Sequence, residues 1–148
     1  MKKTLAYTCY ILPGLFILII AELFVPAVRE IFRGTIFLIP FMLFFLLGIG
    51  LIIETKRTKQ EGKLRRALLI TGFSSVGILI SILLHNAFYA AGKIAQNIVI
   101  LKYLFEVLSI IFFITAIIIC PLAFLAGIIM VLSIRFSSRI HRAQEKCN

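Results

Sequence analysis

The sequence contains no aspartate and no tryptophan, and only 15% of its 148 residues are charged. A soluble domain typically has about 25% charged residues and roughly 45–50% apolar ones. Here 61% of the residues are hydrophobic, which is more apolar surface than a soluble protein of this size can bury. These proportions disfavour a soluble enzyme, a disordered tail and a secreted disulfide scaffold, and they indicate an integral membrane protein.

The chain also lacks the motifs of the common catalytic and metal-binding classes. It has no G-x-S-x-G, no H-E-x-x-H and no P-loop sequence, and its three cysteines form no C-x-x-C. We therefore expect no cofactor, no metal site and no enzymatic activity. Ser81 and His85 lie one helical turn apart, so a membrane-embedded enzyme is kept as a remote alternative.

Positive charge is in large excess, with sixteen Lys and Arg against six acidic residues and a net charge of +10. In a soluble protein such an excess would suggest nucleic acid. Here the basic residues lie between and beside apolar segments, where the positive-inside rule and anionic headgroups place them. The expected partners are the lipid bilayer and its anionic headgroups, not nucleic acid. The sequence is also compatible with assembly into a homo-oligomer or a larger membrane complex.

Four apolar segments are long enough to cross a bilayer, which needs about 20 residues. They cover residues 5–28, 35–53, 67–91 and 103–134. The last is longer than a bilayer requires, and tilt, a bend at Pro121 or a protruding turn would absorb the excess. Segments with the strict alternation of membrane strands do not occur. The sequence therefore predicts an all-α integral membrane bundle of four transmembrane helices, forming a single membrane domain over residues 1–148.

The charged loop 54–66 and the basic tail 135–148 determine the expected orientation. With both termini in the cytoplasm, twelve Lys and Arg lie on the inner side and four on the outer side, which follows the positive-inside rule. We predict this orientation in the cell (inner or plasma) membrane. The loop residues assigned to topology and lipid headgroups are Lys56, Arg57, Lys59, Lys63, Arg65 and Arg66.

The first apolar segment has a competing interpretation as a secretory signal peptide. Lys2 and Lys3, the apolar run and the sequence Val25-Pro26-Ala27 resemble such a peptide with cleavage after Ala27. The run is longer than the usual 7–15 residues and contains Glu22, so we favour its retention as a span. Cleavage would leave three spans in the same orientation.

Three ionisable residues fall inside the predicted spans, namely Glu22, His85 and Glu106. Such groups cost roughly 2.5–3.5 kcal/mol at mid-span and are candidates for functional sites. Counted from the outer ends of three different spans, all three lie at depths of roughly 5–9 Å. We therefore expect them at a similar depth in the outer leaflet of the membrane, where Asn86 and Tyr89 complete a candidate polar cluster.

The third span carries a polar stripe. At 100° per residue, its polar side chains fall within an arc of about 140°. The stripe comprises Thr71, Ser74, Ser75, Ser81, His85, Asn86 and Tyr89. A polar face on a membrane helix points toward protein or water, so the hydroxyl residues from 71 to 81 are predicted to pack against neighbouring helices. Gly77 with Ser81, and Ala123 with Gly127, have the small-residue spacing that close helix contacts prefer.

Two interpretations of the polar cluster stay open. In the structural one, His85 and Glu106 form a pair that locks the outer ends of two helices together, and Glu22 reaches the interface. In the functional one, the cluster is an outward-facing pocket for a proton, a cation or a small solute, with His85 as the titrating group because its ordinary pKa is about 6.5. One histidine with two carboxylates is also an acceptable set of ligands for a divalent metal, although no pair of metal-ligand residues supports it.

The third and fourth predicted spans contain two distinctive stretches. The third has Thr71-Gly72 and then Leu84-His85-Asn86 with Tyr89, and the fourth has Cys120-Pro121 with Gly127. These stretches resemble small multi-pass membrane proteins of prokaryotes that have no assigned activity. The resemblance covers about half of the chain and implies a prokaryotic cell membrane. Small multidrug resistance transporters also have four helices and a Glu in the first span, but Glu22 lies near the outer end and no tryptophan is present to line a drug pocket.

The sequence therefore predicts a small polytopic membrane protein that acts as an accessory, sensing or scaffolding component. The alternative is a small oligomeric transporter of an ion or solute with a polar site in the outer leaflet.

Overall fold

A computed structural model of the chain describes residues 3–32, 34–58 and 62–145. The described residues are almost entirely helical and include no strand. Four helices are long and apolar enough to cross a membrane, and they cover Tyr7–Phe24, Leu38–Arg57, Gly62–Asn97 and Val99–Ser137. The predicted all-α bundle of four membrane-crossing helices is thereby confirmed. Lys59 of the basic loop lies outside the described residues.

The first helix, α1, covers Lys3–Phe24 and ends earlier than the predicted segment 5–28. Val25 is extended, with φ −103° and ψ 110°, and Pro26 begins a second short helix, α2, over Pro26–Ile31. Proline suits the first position of a helix because the N–H that it lacks would have no partner there. A new helix therefore starts at Pro26 where the hydropathy pattern alone predicted a continuous span.

The next two spans are close to each other in the sequence. Helix α3 covers Leu38–Arg57 and helix α4 covers Gly62–Ile94. Gly34, which precedes α3, and Gly62 have φ values of 69° and 66°, which residues with a side chain rarely adopt. Both helices extend into the predicted loop 54–66, since hydropathy marks only the part of a helix that lies in hydrocarbon.

The fourth span is one long, nearly continuous helix. It consists of α5 over Val99–Ile114, a π-helical turn over Thr115–Ile119, and α6 over Cys120–Glu145. Pro121 follows the π turn and has no N–H to donate to the preceding turn, and distortion of this kind is typical near proline. The helix continues past residue 134, the end of the predicted segment, into the predicted tail.

Helix α4 is the centre of the bundle. It packs against α3, α5 and α6, while α1 packs against α3. The rings of Phe16, Phe44 and Phe124 join α1, α3 and α6, with centroids between 4.8 and 6.0 Å apart. Each such pair stabilises the contact by about 0.5–1.5 kcal/mol beyond the burial of its area. The core therefore surrounds the polar face of α4.

Candidate functional site

The polar stripe of α4 is buried between neighbouring helices. Thr71, Ser74, Ser75 and Ser81 are all buried. The first three donate hydrogen bonds of 2.7–2.9 Å to backbone carbonyls one turn earlier in α4. Because these hydroxyl groups form hydrogen bonds within their own helix, they can be buried between helices without an unpaired polar atom.

Glycines opposite the stripe bring the helix backbones close together. A methyl group at Gly48 of α3 would lie 2.7 Å from Cβ of Ser75. A methyl group at Gly127 of α6 would overlap the hydroxyl of Thr71 and lie 3.2 Å from the carbonyl oxygen of Ala67. Small residues therefore let both helices approach α4 closely, as membrane helices commonly do.

Cys120 faces the predicted pair of small residues on α4. The side chain of Ser81 lies beside the Cys120 thiol, and a methyl group at Gly77 would lie 2.9 Å from the sulfur atom. The sequence, in which the cysteines form no C-x-x-C, indicates no contact for this residue. The structure adds a polar contact between α4 and the start of α6.

The partner of His85 is Ser109 of α5. The Nδ1 atom of His85 lies 2.9 Å from the Ser109 hydroxyl oxygen and 3.0 Å from the Ser109 carbonyl oxygen. The Ser109 hydroxyl in turn lies 3.3 Å from the carbonyl oxygen of His85. These contacts are accounted for if the hydrogen on Nδ1 is shared by the carbonyl and hydroxyl oxygens of Ser109, while the Ser109 hydroxyl donates to the His85 carbonyl. The ring of Phe113 packs on the imidazole at 5.1 Å.

Reasoning from the sequence missed Ser109. It is the single serine of α5, in an otherwise largely apolar stretch, and it is buried. A lone hydroxyl in such a stretch is a usable signal, because polar side chains in membrane helices commonly bond across to a neighbouring helix.

Glu106 lies in a different environment from His85. Its side chain is 48% exposed, and Oε1 lies 3.9 Å from Nζ of Lys102, one turn earlier in α5. An exposed pair of this kind contributes only about 0.3–0.5 kcal/mol. Among the described residues, no hydrogen bond or ion pair joins Glu106 to His85 or to Glu22. The structural interpretation paired His85 with Glu106, whereas in the structure His85 contacts Ser109.

Glu22 is fully buried, with 0% of its surface exposed. It continues the buried face of α1 and comes three residues after the buried Ile19. Neither carboxyl oxygen has a hydrogen-bond partner within the described part of the chain. Leaving a buried polar group unsatisfied costs about 1–3 kcal/mol, and more if the group is charged. By this measure Glu22 is a strong candidate for a functional residue within the spans.

Asn86 and Tyr89 are exposed at the far end of α4. The Asn86 amide donates to the carbonyl oxygen of Ile82 at 3.0 Å. The Tyr89 ring lies 6.4 Å from that of His85 and 5.3 Å from the ammonium group of Lys93. The structure thus brings two members of the candidate cluster, His85 and Tyr89, into one group. No set of three His, Cys, Asp or Glu in the described ranges could hold a metal ion.

Two adjoining apolar cavities, of about 310 and 240 Å³, lie between the spans. They share walls formed by Leu23, Phe41, Ile82, Ala116 and Ile117. His85 lines the smaller cavity. Selective passage of ions or polar solutes requires a series of polar or charged groups, and the residues that line these cavities do not supply one.

The predicted headgroup residues within the described ranges are exposed at one end of the bundle, where α3 ends and α4 begins. They are Lys56, Arg57, Lys63, Arg65 and Arg66. Exposed basic side chains beside membrane-spanning helices are the arrangement that attracts anionic headgroups.

No protein family, curated protein or solved structure matches the chain. The class that the fold defines is a multi-pass helical bundle whose four long helices can cross a membrane.

Proposed function

We propose that the protein is an accessory component of the cell membrane, with a sensing or scaffolding role and both termini in the cytoplasm. The observation that carries the proposal is the use of the α4 stripe in helix contacts. Thr71, Ser74 and Ser75 donate hydrogen bonds to the backbone of their own helix, and the buried Ser81 lies beside Cys120. Hydroxyls engaged in this way support packing and do not form a polar route for a solute.

The apolar cavities between the spans support the same proposal. The residues that line these cavities provide no series of polar groups that could replace the hydration shell of an ion. The exposed basic residues at the α3–α4 end, together with the excess of basic residues on the proposed inner side, support the orientation.

Transport of a proton or cation by a small oligomer is the second candidate, and Glu22 favours it. A fully buried carboxyl group with both oxygens unpartnered in the described residues is the type of group that proton and cation pathways use inside membranes. In a transporter, Glu22 would bind and release the ion as the bundle or oligomer rearranges.

Ion flux into liposomes separates the two candidates. The full chain, its Glu22→Gln variant and a Glu106→Gln control, which changes an exposed carboxyl, are reconstituted and tested for proton and divalent-cation flux. An accessory protein gives the flux of empty liposomes in all three cases. Flux above that level, lost in Glu22→Gln and kept in Glu106→Gln, would establish transport, provided that both variants retain the thermal stability of the parent.

A further inference from the structure

A third cavity, of about 380 Å³, lies where α1 and α6 meet and differs in chemistry from the two apolar ones. It is lined by Tyr10, Leu132, Ser133, Arg135 and Phe136. The lining residues therefore include one that carries a guanidinium group, two that carry hydroxyl groups and two that are apolar. None of the five belongs to the predicted cluster or to the predicted headgroup residues.

The cavity lies at the membrane boundary on the basic end of the bundle. Tyr10 comes three residues after the start of the first candidate span, Tyr7–Phe24, and Arg135 comes two residues before the end of the last, Val99–Ser137. Cys9, beside Tyr10, lies within electrostatic range of both Arg135 and Glu54 near the end of α3. The cavity thus shares the end of the bundle that presents the exposed basic residues of α3 and α4.

The Arg135 side chain is held at this cavity by an aromatic contact. Its guanidinium carbon lies 5.5 Å from the centroid of the Tyr10 ring, within the range of a cation–π interaction. A guanidinium group has five N–H donors in a planar fork that matches a phosphate group, and these donors can serve several acceptors at once. The hydroxyls of Tyr10 and Ser133 add two further donors on the cavity wall.

We propose that this cavity binds the phosphate group of an anionic phospholipid, with Arg135, Ser133 and Tyr10 as donors. Leu132 and Phe136 pack against the glycerol and the first methylene groups. Basic pockets between membrane helices are typical sites for such headgroups. The apolar walls of the cavity and its location on two membrane-spanning helices favour the phosphate group of a lipid over a soluble phosphate.

Glu54 gives the proposal an internal check. This carboxyl group does not line the cavity, and its buried Oε2 has no hydrogen-bond partner in the described residues. Its negative charge near the same end opposes an anionic ligand, so Glu54→Gln is expected to tighten lipid binding.

The test measures binding of phosphatidylglycerol to the full chain in phosphatidylcholine nanodiscs, read by mass spectrometry of retained lipid. Arg135→Gln is expected to raise the Kd for phosphatidylglycerol about tenfold, as loss of a charged hydrogen bond typically does. Two controls remove the same charge elsewhere. Arg57→Gln changes an exposed residue at the same end, and Lys93→Gln removes the cation over Tyr89 at the other end; each is expected to change the Kd less than about threefold.

Two milder variants keep the test decisive if Arg135→Gln does not fold. Tyr10→Phe and Ser133→Ala retain the shape of the cavity and are each expected to weaken binding about threefold. Equal weakening by Arg135→Gln and Arg57→Gln would show diffuse attraction to the basic end and overturn the site. Unchanged binding in Arg135→Gln, or displacement of the lipid by free glycerol phosphate at equal concentration, would also overturn it.

Discussion

Glu22 occupies the most costly environment described for a polar side chain in this protein, because it is fully buried and both of its oxygens lack partners in the described residues. Methionine has a similar size and needs no hydrogen bonds. If Glu22 has no binding role, Glu22→Met is expected to raise the free energy of unfolding by about 1–3 kcal/mol. The measurement is reversible unfolding in mixed micelles.

The control for this substitution is Glu106→Met, which changes an exposed carboxyl and is expected to alter stability by less than about 0.5 kcal/mol. A loss of stability in Glu22→Met would instead mean that the folded protein supplies Glu22 with a partner, such as bound water or a second chain.

The contact between His85 and Ser109 is a polar connection between α4 and α5. A double-mutant cycle with His85→Ala and Ser109→Ala is expected to give a coupling energy of about 0.5–1.5 kcal/mol. The matched cycle pairs His85→Ala with Ser74→Ala, whose hydroxyl bonds to the backbone of its own helix, and it should give no coupling. Coupling of equal size in both cycles would contradict the assignment.

For a residue in a membrane span, the sequence predicts a depth but not the direction in which the side chain points. Distance from the ends of the spans placed Glu22, His85 and Glu106 at a similar depth, but it does not specify how α5 is rotated about its axis. Glu106 and Ser109 are three residues apart and so differ by about 60° around that axis. The structure turns Ser109 toward His85 and leaves Glu106 with Lys102.

Among the helices, the closest approach to α4 depends on glycine. Gly127→Ala is expected to destabilise the bundle by about 1–3 kcal/mol, because the new methyl group would meet Thr71 and backbone atoms of α4 that cannot easily move. Gly50→Ala is the control: a methyl group there meets nothing within 4 Å, and it is expected to raise stability by up to about 1 kcal/mol. Thermal unfolding of the two variants in one detergent compares them directly, and equal shifts would argue against the close contact.

The helix boundaries show where hydropathy stops being informative. The segment 67–91 predicted the existence of α4, yet the helix begins at Gly62 and includes Lys63, Arg65 and Arg66, which the sequence analysis assigned to the charged loop. The π turn at Thr115–Ile119 was also not predicted, since proline signals a distortion but not which turn absorbs it. Composition predicts that these segments are helices, whereas the residues at which each helix begins and ends depend on local backbone chemistry.

For the molecule as a whole, the proposed orientation makes a prediction about Cys147, which lies in the basic tail outside the described residues. A membrane-impermeant thiol reagent should label Cys147 only after permeabilisation of cells, because the proposed orientation puts the tail in the cytoplasm. Cys9 and Cys120 are buried and are expected to react slowly. Gln96→Cys, in the exposed turn between α4 and α5, is the positive control and should react in intact cells. Rapid labelling of Cys147 in intact cells would contradict the proposed orientation and indicate the opposite one.

Helix α4, the centre of the bundle, also lies in the middle of the sequence, so the helices that precede it are synthesised before the helix against which the bundle packs. Helices α1 and α3 leave the ribosome before α4, which is 33 residues long and takes about 2–7 s to translate at 5–20 residues per second. During that interval the face of α3 around Gly48 has no protein to cover it. The nascent chain is therefore expected to need a membrane insertase or chaperone that covers its first half, and a chain stalled before Gly62 is expected to be degraded by membrane proteases.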